Sequence, residues 1–340
     1  MGKVASFFRL VRAARVFARH EVLLPPEMRE MAPFPARFAA GILKATTFSR
    51  TSKGLSTGQR FAAALGDLGP SYVKLGQFLA TRPDVVGKQL AKDLTSLQDR
   101  MPPFGMDRAK AAIAEELGQS VETLFSEFSD PVAAASIAQV HRARMKATGT
   151  EVAVKVLRPD IETRFRRDLD SFYLAARLAE RHLPGSKRLR PVAFVDTLAA
   201  SVKEEMDLRM EASAAAELAE LTKNDVGFRV PRIEWELTAK RVLTSDWIDA
   251  IPMRDPEALK SAGHDPAKLA TDLIRHFLTQ ALRDGFFHAD MHQGNLFVDA
   301  KGNIVAVDFG IMGRLDPIMR RFMADVLYGF LQRDYRAIAE

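Results

Sequence analysis

Three side chains toward the end of the chain carry the most chemistry. Asp290 is followed five positions later by Asn295. Thirteen positions beyond that stands Asp308, which opens the triplet Asp308-Phe309-Gly310. Asn and Asp offer hard oxygen ligands, the kind that share Mg²⁺ with phosphate oxygens. A further carboxylate at Asp290 is of the type that accepts a proton from an attacking hydroxyl or water. In the N-terminal half, Val152-Ala153-Val154-Lys155 reads as a strand that presents a lysine. Fifteen residues before Lys155 lies Val140, the last residue of Val132-Ala133-Ala134-Ala135-Ser136-Ile137-Ala138-Gln139-Val140. Small side chains in such a loop let backbone N–H groups approach phosphates. Each element alone has a plain reading: a lysine at a solvent edge, or a turn.

Together, their order and spacing match the catalytic loop, metal triplet and phosphate lysine of a protein kinase. Laid on G-x-G-x-x-G-x-V, the loop has alanine at each glycine position, 133, 135 and 138. A positive φ costs alanine about 1–2 kcal/mol, so a stiffer nucleotide lid is expected than glycine would give.

These groups must be positioned by short strands and the helices around them. Pro25, Pro26, Pro33 and Pro35 predict a loop-rich link after a first helix. Residues 55–118 read as several helices, broken at Gly69-Pro70, Pro83 and Pro102-Pro103. Strand character begins near Leu124. Val140 to Ala143 and Glu151 to Leu157 read as strands joined by the turn Ala147-Thr148-Gly149. A helix over 160–183 is stopped by Pro184-Gly185, and a long helix is expected over about 195–222. On it Asp207 and Glu211 stand at i,i+4 and Glu204 at i,i+3 to Asp207, an acidic stripe that needs cations such as Lys155 and Lys74. Strands near 228–235 and 240–246, a helix over 266–284, and strands at 295–299 and 303–307 around Lys301-Gly302 follow. The last helix starts at Pro317, and its periodicity carries no glycine cap before Glu340, the pattern expected of a fragment of a longer sequence.

Composition sets the outer bounds. Apolar residues make up 47% and charged residues 27% of 340, which excludes a disordered chain. The charge is 49 − 43 = +6. The absence of cysteine excludes disulfides, thiolate metal sites and cysteine nucleophiles. No apolar run of about 18 residues appears, so no transmembrane helix is expected within the chain. The first twenty residues carry Lys3, Arg9, Arg12, Arg15 and Arg19 and no acid. Val4, Phe7, Phe8, Val11, Ala14 and Ala18 lie on the other side. This is the pattern of a helix lying on an anionic membrane, with a helix packed on the protein or an organellar transit peptide as alternatives. Basic residues in 162–167 and 187–190 lack interleaved aromatics, so no nucleic acid partner is expected.

Three further features resemble the UbiB family of atypical protein-kinase-like proteins of ubiquinone biosynthesis. They are the alanine-rich loop, Lys74-Leu75-Gly76-Gln77 as the family's K-x-G-Q motif, and Glu205-Met206-Asp207 as its E-x-D motif, followed by Glu211. The likeness runs from about residue 55 to 320 and is nearest to bacterial members. It implies an α+β, bilobal kinase-like fold with an N-terminal helical extension and an incomplete C-lobe. The expected division is a basic helix over 1–24, the extension over 25–118, a kinase-like N-lobe with inserted helices over 119–250, and a partial C-lobe over 251–340. In these terms Asp290 is the catalytic aspartate, and Asn295 and Asp308 hold Mg²⁺. Lys155 contacts ATP phosphates and pairs with Glu211, and residues 132–140 cover the nucleotide. The segment Val242 to Asp249, with Asp246 and Trp247, is the adenine hinge. Lys74 and Gln77 regulate from the extension, which occupies the docking place of a protein substrate, and Lys74 pairs with Glu205 or Asp207.

The chain also departs from ordinary kinases. His292 stands where a lysine is usual, no Ala-Pro-Glu follows Asp308, and Gly310 is close to the next helix. That leaves no room for an activation loop of ordinary length, so phosphorylation-controlled switching is not expected. Neither a flavin fingerprint nor a His/carboxylate metal triad supports a hydroxylase. The expected activity is a Mg-dependent atypical kinase or ATPase, hydrolysing ATP rather than phosphorylating protein. The expected place is the cytoplasmic face of the bacterial inner membrane, beside quinone-pathway lipids or enzymes. A true protein or small-molecule kinase and a nucleotide-gated, non-catalytic module are the alternatives.

Overall fold

Proline and glycine punctuate the N-terminal half of the chain. The computed structural model describes residues 2–23, 54–95, 97, 101–182 and 186–336. The proline link at 25–35 and the stop at Pro184-Gly185 lie outside the described residues. Helix α1 spans Gly2–Arg19. Helix α2 (Thr57–Leu68) opens on a capping box of Ser56 and Gln59. Gly69, at φ 103, turns the chain directly into α3 (Pro70–Ala80), which begins on proline. Then come α4 (Pro83–Val86), α5 (Lys88–Leu94), α6 (Met106–Leu117) and α7 (Val121–Leu124).

A four-stranded sheet follows, in the order β1-β2-β3-β5, formed by β1 (Phe125–Ala134), β2 (Ala138–Met145), β3 (Glu151–Leu157) and β5 (Val242–Asp246). Alternate residues of β3 are fully buried at Val152, Val154 and Val156, which leaves Lys155 on the opposite face. Between β3 and β5 lie α8 (Ile161–His182), α9 (Ser186–Leu189), α10 (Pro191–Glu205), α11 (Leu208–Leu221) and β4 (Phe228–Arg229).

The long helix expected over 195–222 is thus two helices. Asp207 breaks it: the residue is extended, at φ −124, and its carboxylate accepts a bond from Arg209 N to cap α11. Glu204, Asp207 and Glu211 therefore do not form one helical stripe. The strand expected over 228–235 shrinks to two residues, because Pro231 has no N–H to give to a ladder. A single 3₁₀ turn, Trp235–Leu237, leads into β5.

The remainder comprises β6 (Ala250–Pro252), α12 (Pro256–Ser261) and α13 (Pro266–Thr279), which ends in a π-helical turn over Gln280–Asp284. Strand β7 (Phe286–His288) pairs antiparallel with β10 (Met312–Arg314). Strands β8 (Leu296–Asp299) and β9 (Ile304–Ala306) form a hairpin in a second sheet, ordered β4-β9-β8-β6. The hairpin turn is held by Asp299 Oδ1, which accepts bonds from Lys301 N and Asn303 N at 2.9 Å, with Gly302 at φ 84. Helix α14 (Pro317–Gln332) does not run on toward Glu340: Arg333 takes a left-handed conformation, φ 58, and caps it.

The chain divides into two compact units. Unit 1 holds residues 1–112, 130–141 and 156–206; unit 2 holds 113–129, 142–155 and 207–340. In unit 1, Leu65, Phe165 and Leu198 are completely buried. Tyr72 meets Phe172 edge-on at 5.0 Å, and Phe78 meets Phe194 at 4.9 Å. Helix α1 packs through Ser6, Ala13 and Ala18, and Arg9 Nε donates to Ser171 Oγ at 3.0 Å. This leaves Val4, Phe7 and Phe8 exposed at 68%, 55% and 66%. The helix is both packed on the protein and free along its first apolar turns. In unit 2, Leu208, Leu218, Leu296 and Ile304 form the equivalent core.

Candidate active site

The β8–β9 hairpin decides where the metal-type ligands stand. Leu296 pairs with Ala306, and Val307 N donates to Asn295 O at 2.9 Å. Asn295 and Asp308 are thereby set at the open ends of two neighbouring strands. Asp308 itself is left-handed, φ 62, a conformation unfavourable for a residue with a Cβ and frequent at functional sites. Phe309 is buried against the His288 ring at 5.5 Å and anchors the triplet.

Lys155 reaches two carboxylates. Its Nζ donates to Glu211 Oε1 at 2.8 Å and Oε2 at 2.9 Å, and stands 3.4 Å from Asp308 Oδ1. The Lys155 and Glu211 side chains are 16% and 11% exposed, so the pair is mostly withdrawn from water. Burial by itself would lower the lysine, but Asp308 and Glu211 outweigh it and hold the ammonium raised. In return the Lys155 charge holds the carboxyl of the half-exposed Asp308 below its ordinary range. Glu211 lies in the first turn of α11, where a negative charge suits the helix N-terminus.

Asp290 sits on a loop folded by its own backbone. Its carbonyl accepts from His292 N at 2.8 Å and from Asn295 Nδ2 at 3.2 Å. The side chain is 42% exposed, and its Oδ2 lies 3.7 Å from His292 Nε2. His292 Nδ1 accepts from Gly294 N at 2.9 Å, which leaves Nε2 as the nitrogen turned to Asp290. A Cβ at Gly294 would stand 2.7 Å from the His292 ring and would push the ring from this position.

His288 has a role that sequence reading gave no residue. It is fully buried, accepts from Asp290 N at Nδ1 (3.1 Å), and its Nε2 faces Val307 O at 3.3 Å. One neutral imidazole therefore ties the Asp290 loop to the residue before Asp308. Burial holds its protonation below the ordinary histidine range. The clue in the sequence was a histidine two residues before the aspartate, as in the H-R-D kinase loop.

Asn295 and Asp308 carry hard oxygens of the kind that would hold Mg²⁺. Among the described residues no cluster of three His, Cys, Asp or Glu side chains suits a metal, so the ion would need phosphate oxygens and water to complete its shell.

The hinge segment is partly committed already. Asp246 N donates to Arg232 O and Trp247 N to Glu151 O, while the Trp247 ring carries Arg142 at 5.0 Å.

The remaining site residues belong to unit 1, except Asp207. Lys74 Nζ lies 2.6 Å from Glu205 Oε1, with both side chains largely buried. Asp207 instead bonds Arg209, whose guanidinium keeps its carboxyl low. Gln77 Nε2 donates to Leu97 O at 3.1 Å. Gly76 is small for a reason: a Cβ would come within 2.4 Å of Leu97 Cδ1 and 2.6 Å of Leu65 Cδ1.

The reason expected for a stiff alanine loop is absent. None of Ala133, Ala135 and Ala138 has a positive φ, so no glycine conformation is being imposed on alanine. The loop is latched from outside. Ala135 N donates to Ala138 O at 2.8 Å. Arg158 Nη2 donates to Ala135 O and to Pro102 O, both at 2.9 Å, and its guanidinium lies over the Phe104 ring. The buried Gln139 amide exchanges two bonds with the Phe104 backbone. Arg158 had no motif to announce it. Val132 is exposed, whereas Ser136 is buried.

Comparison with known proteins places the chain in a family. Residues 96–340 match the family model of the ABC1 atypical kinase-like domain. Probable protein kinase UbiB of Marinobacter nauticus is 42% identical over 98% of this chain and 61% of its own length. The corresponding protein of Pseudomonas paraeruginosa is 38% identical over 99% of this chain and 64% of its own. The chain thus spans somewhat less than two thirds of the relatives it matches. The solved structure of Rv3197 with erythromycin, from Mycobacterium tuberculosis, aligns with a TM-score of 0.56 and 27% identity. That alignment covers 83% of this chain and 70% of the other. The fold is α+β and kinase-like, and the chain belongs to the ABC1 family of atypical kinase-like proteins, the UbiB family its motifs resemble.

Proposed function

We propose that the chain binds Mg-ATP and hydrolyses it, in support of ubiquinone biosynthesis at a membrane surface. The observation that carries this reading is the convergence of Lys155 on Glu211 and Asp308 within unit 2. An ammonium held by a helix glutamate and a metal-type aspartate is the arrangement that receives the phosphates in kinases. Asn295 and Asp308 would hold Mg²⁺, which would neutralise phosphate charge. In hydrolysis a water oxygen bonds the γ-phosphorus while the bond to the β-bridging oxygen breaks. The proton passes to Asp290 Oδ and ADP carries away the bridging electron pair. Asn295 Nδ2, which donates to Asp290 Oδ2 at 3.4 Å, orients the carboxylate, and His288 fixes the loop that carries it.

Phosphoryl transfer to an acceptor is a second reading, favoured by the partial exposure of Asp290. The membrane reading is supported by the exposed Val4, Phe7 and Phe8 on the basic helix α1. No helix among the described residues is long and apolar enough to cross a membrane. The place proposed is the cytoplasmic face of the bacterial inner membrane, with quinone-pathway lipids or enzymes as partners.

Phosphate release from ATP, with and without anionic vesicles, tests the reading beside Asp290→Asn and Asp308→Asn. Release that rises with vesicles and falls in both variants is expected. Wild-type release unchanged in Asp290→Asn and Asp308→Asn would overturn it.

A further inference from the structure

Four arginines of unit 1 line one cavity of about 380 Å³. Helix α1 contributes Arg9 and Arg12, and α8 contributes Arg164 and Arg167. Two carboxylates, Asp160 and Asp168, share the wall. The groups assigned above to phosphate, metal and proton transfer all belong to unit 2.

The guanidiniums differ in how far they are committed. Arg9 bonds Ser171 and Ser6. Arg164 Nη2 donates to Leu68 O at 3.0 Å, in a space that only glycine leaves open: a Cβ at Gly69 would stand 2.2 Å from that nitrogen. The guanidiniums of Arg12 and Arg167 have no hydrogen bond or ion pair among the described residues; the Arg167 backbone carbonyl accepts from Ser171 Oγ. The balance is four cations against two anions, and Asp160 is already paired with Arg108 at 3.0 Å. Converging guanidinium donors without protein acceptors match phosphate oxygens, which accept such forks in pairs. Asp168 repels a phosphate and accepts a hydrogen bond from a hydroxyl. Tyr72 also lines the cavity and remains a neutral donor, since burial first, and Asp168 second, push its hydroxyl up to about 12.

We propose that this cavity binds a phosphate ester that carries a free hydroxyl, of the glycerol phosphate type. Arg12 and Arg167 hold the phosphate oxygens, Arg9 and Arg164 form fixed walls, and Asp168 takes the hydroxyl. The same chemistry occurs on a soluble metabolite and on a lipid headgroup. Phe8 and Val4, four and eight residues before Arg12 on the same helical row, are exposed and would lie beside the chains of a lipid.

The test uses the full 340-residue protein. Calorimetry measures binding of glycerol phosphate and of inorganic phosphate. Co-sedimentation measures binding to vesicles of phosphatidylcholine with phosphatidylglycerol. The double variant Arg12→Gln/Arg167→Gln removes two guanidiniums that hold no other side chain by a hydrogen bond or ion pair among the described residues. Arg15→Gln/Arg19→Gln removes two exposed cations of α1 that do not line the cavity. The cavity variant is expected to lose about 30-fold in affinity for the binding probe, and the control at least about tenfold less than that. Binding in solution assigns a soluble ligand, binding to vesicles alone assigns a headgroup, and either supports the site. Equal losses in the two variants, or no binding of either ester probe, would overturn the proposal. Inorganic phosphate binding as tightly as glycerol phosphate would overturn the role of Asp168.

Discussion

The buried pair between Lys155 and Glu211 makes the most demanding prediction, because it separates an ion pair that matters from one that merely exists. Either partner can be replaced by methionine, which is unbranched, uncharged and adaptable in packing. Lys155→Met leaves the Glu211 carboxylate, 11% exposed, without its cation; Glu211→Met leaves the ammonium, 16% exposed, with only Asp308 at 3.4 Å. Breaking one side of a buried pair costs about 3–5 kcal/mol. The half-exposed Asp308 is solvent-screened and changes this by less than about 1 kcal/mol. Each single variant is therefore expected to lose about 3 kcal/mol. The double variant places two apolar side chains against each other and is expected to lose no more than about 3 kcal/mol in all, a coupling of about 3 kcal/mol. Urea unfolding without nucleotide, followed by tryptophan fluorescence, reads this directly, since both tryptophans, Trp235 and Trp247, lie in unit 2. A double variant as unstable as the two singles added together would refute the coupling on which the site description rests.

Three further outcomes are expected. Ala135→Gly loosens a loop that Arg158 and Gln139 hold at Ala135 O and the Phe104 backbone, so the ratio of ADP to ATP affinity should change; equal ratios by calorimetry would count against a stiff lid. Phe7→Ser with Phe8→Ser should weaken co-sedimentation with anionic vesicles at unchanged thermal stability, because both rings are exposed; undiminished binding would return α1 to a purely structural role. His288 and His276 are both held below their ordinary value of 6.5 by burial, with Asp290 and Asp308 facing the first and Arg275, Asp225 and Asp272 the second. Their contribution to stability is complete above 6.5 and is lost as pH falls through the lowered native values, because the unfolded chain then binds more protons. Thermal unfolding should show that decline, and His276→Leu should make it shallower; an identical slope would remove His276 from the account.

The family was legible in residue types and spacing alone. The spacing of Asp290, Asn295 and Asp308 pointed to it because the β8–β9 hairpin between the last two has a fixed length. The α2–α3 break at Gly69-Pro70 and the start of α14 at Pro317 were equally plain, since proline and glycine act on the local backbone. Other features depended on contacts remote in sequence. A run of helix formers over 195–222 concealed the break at Asp207, where one carboxylate caps a backbone N–H instead of joining a stripe. The loop 132–140 showed its alanines, but Arg158 and Met101 to Phe104, which latch it, carry no motif. Helix α1 showed a basic and an apolar side, while its packing on Ser6, Ala13 and Ala18 was chosen by what lies against it. Lys155 and Glu211 are 56 residues apart, so the meeting of their charges within 2.8 Å was decided by how β3 and α11 fold together. Local propensity and turn chemistry are written residue by residue. Burial and ion pairing depend on the partner that tertiary folding supplies.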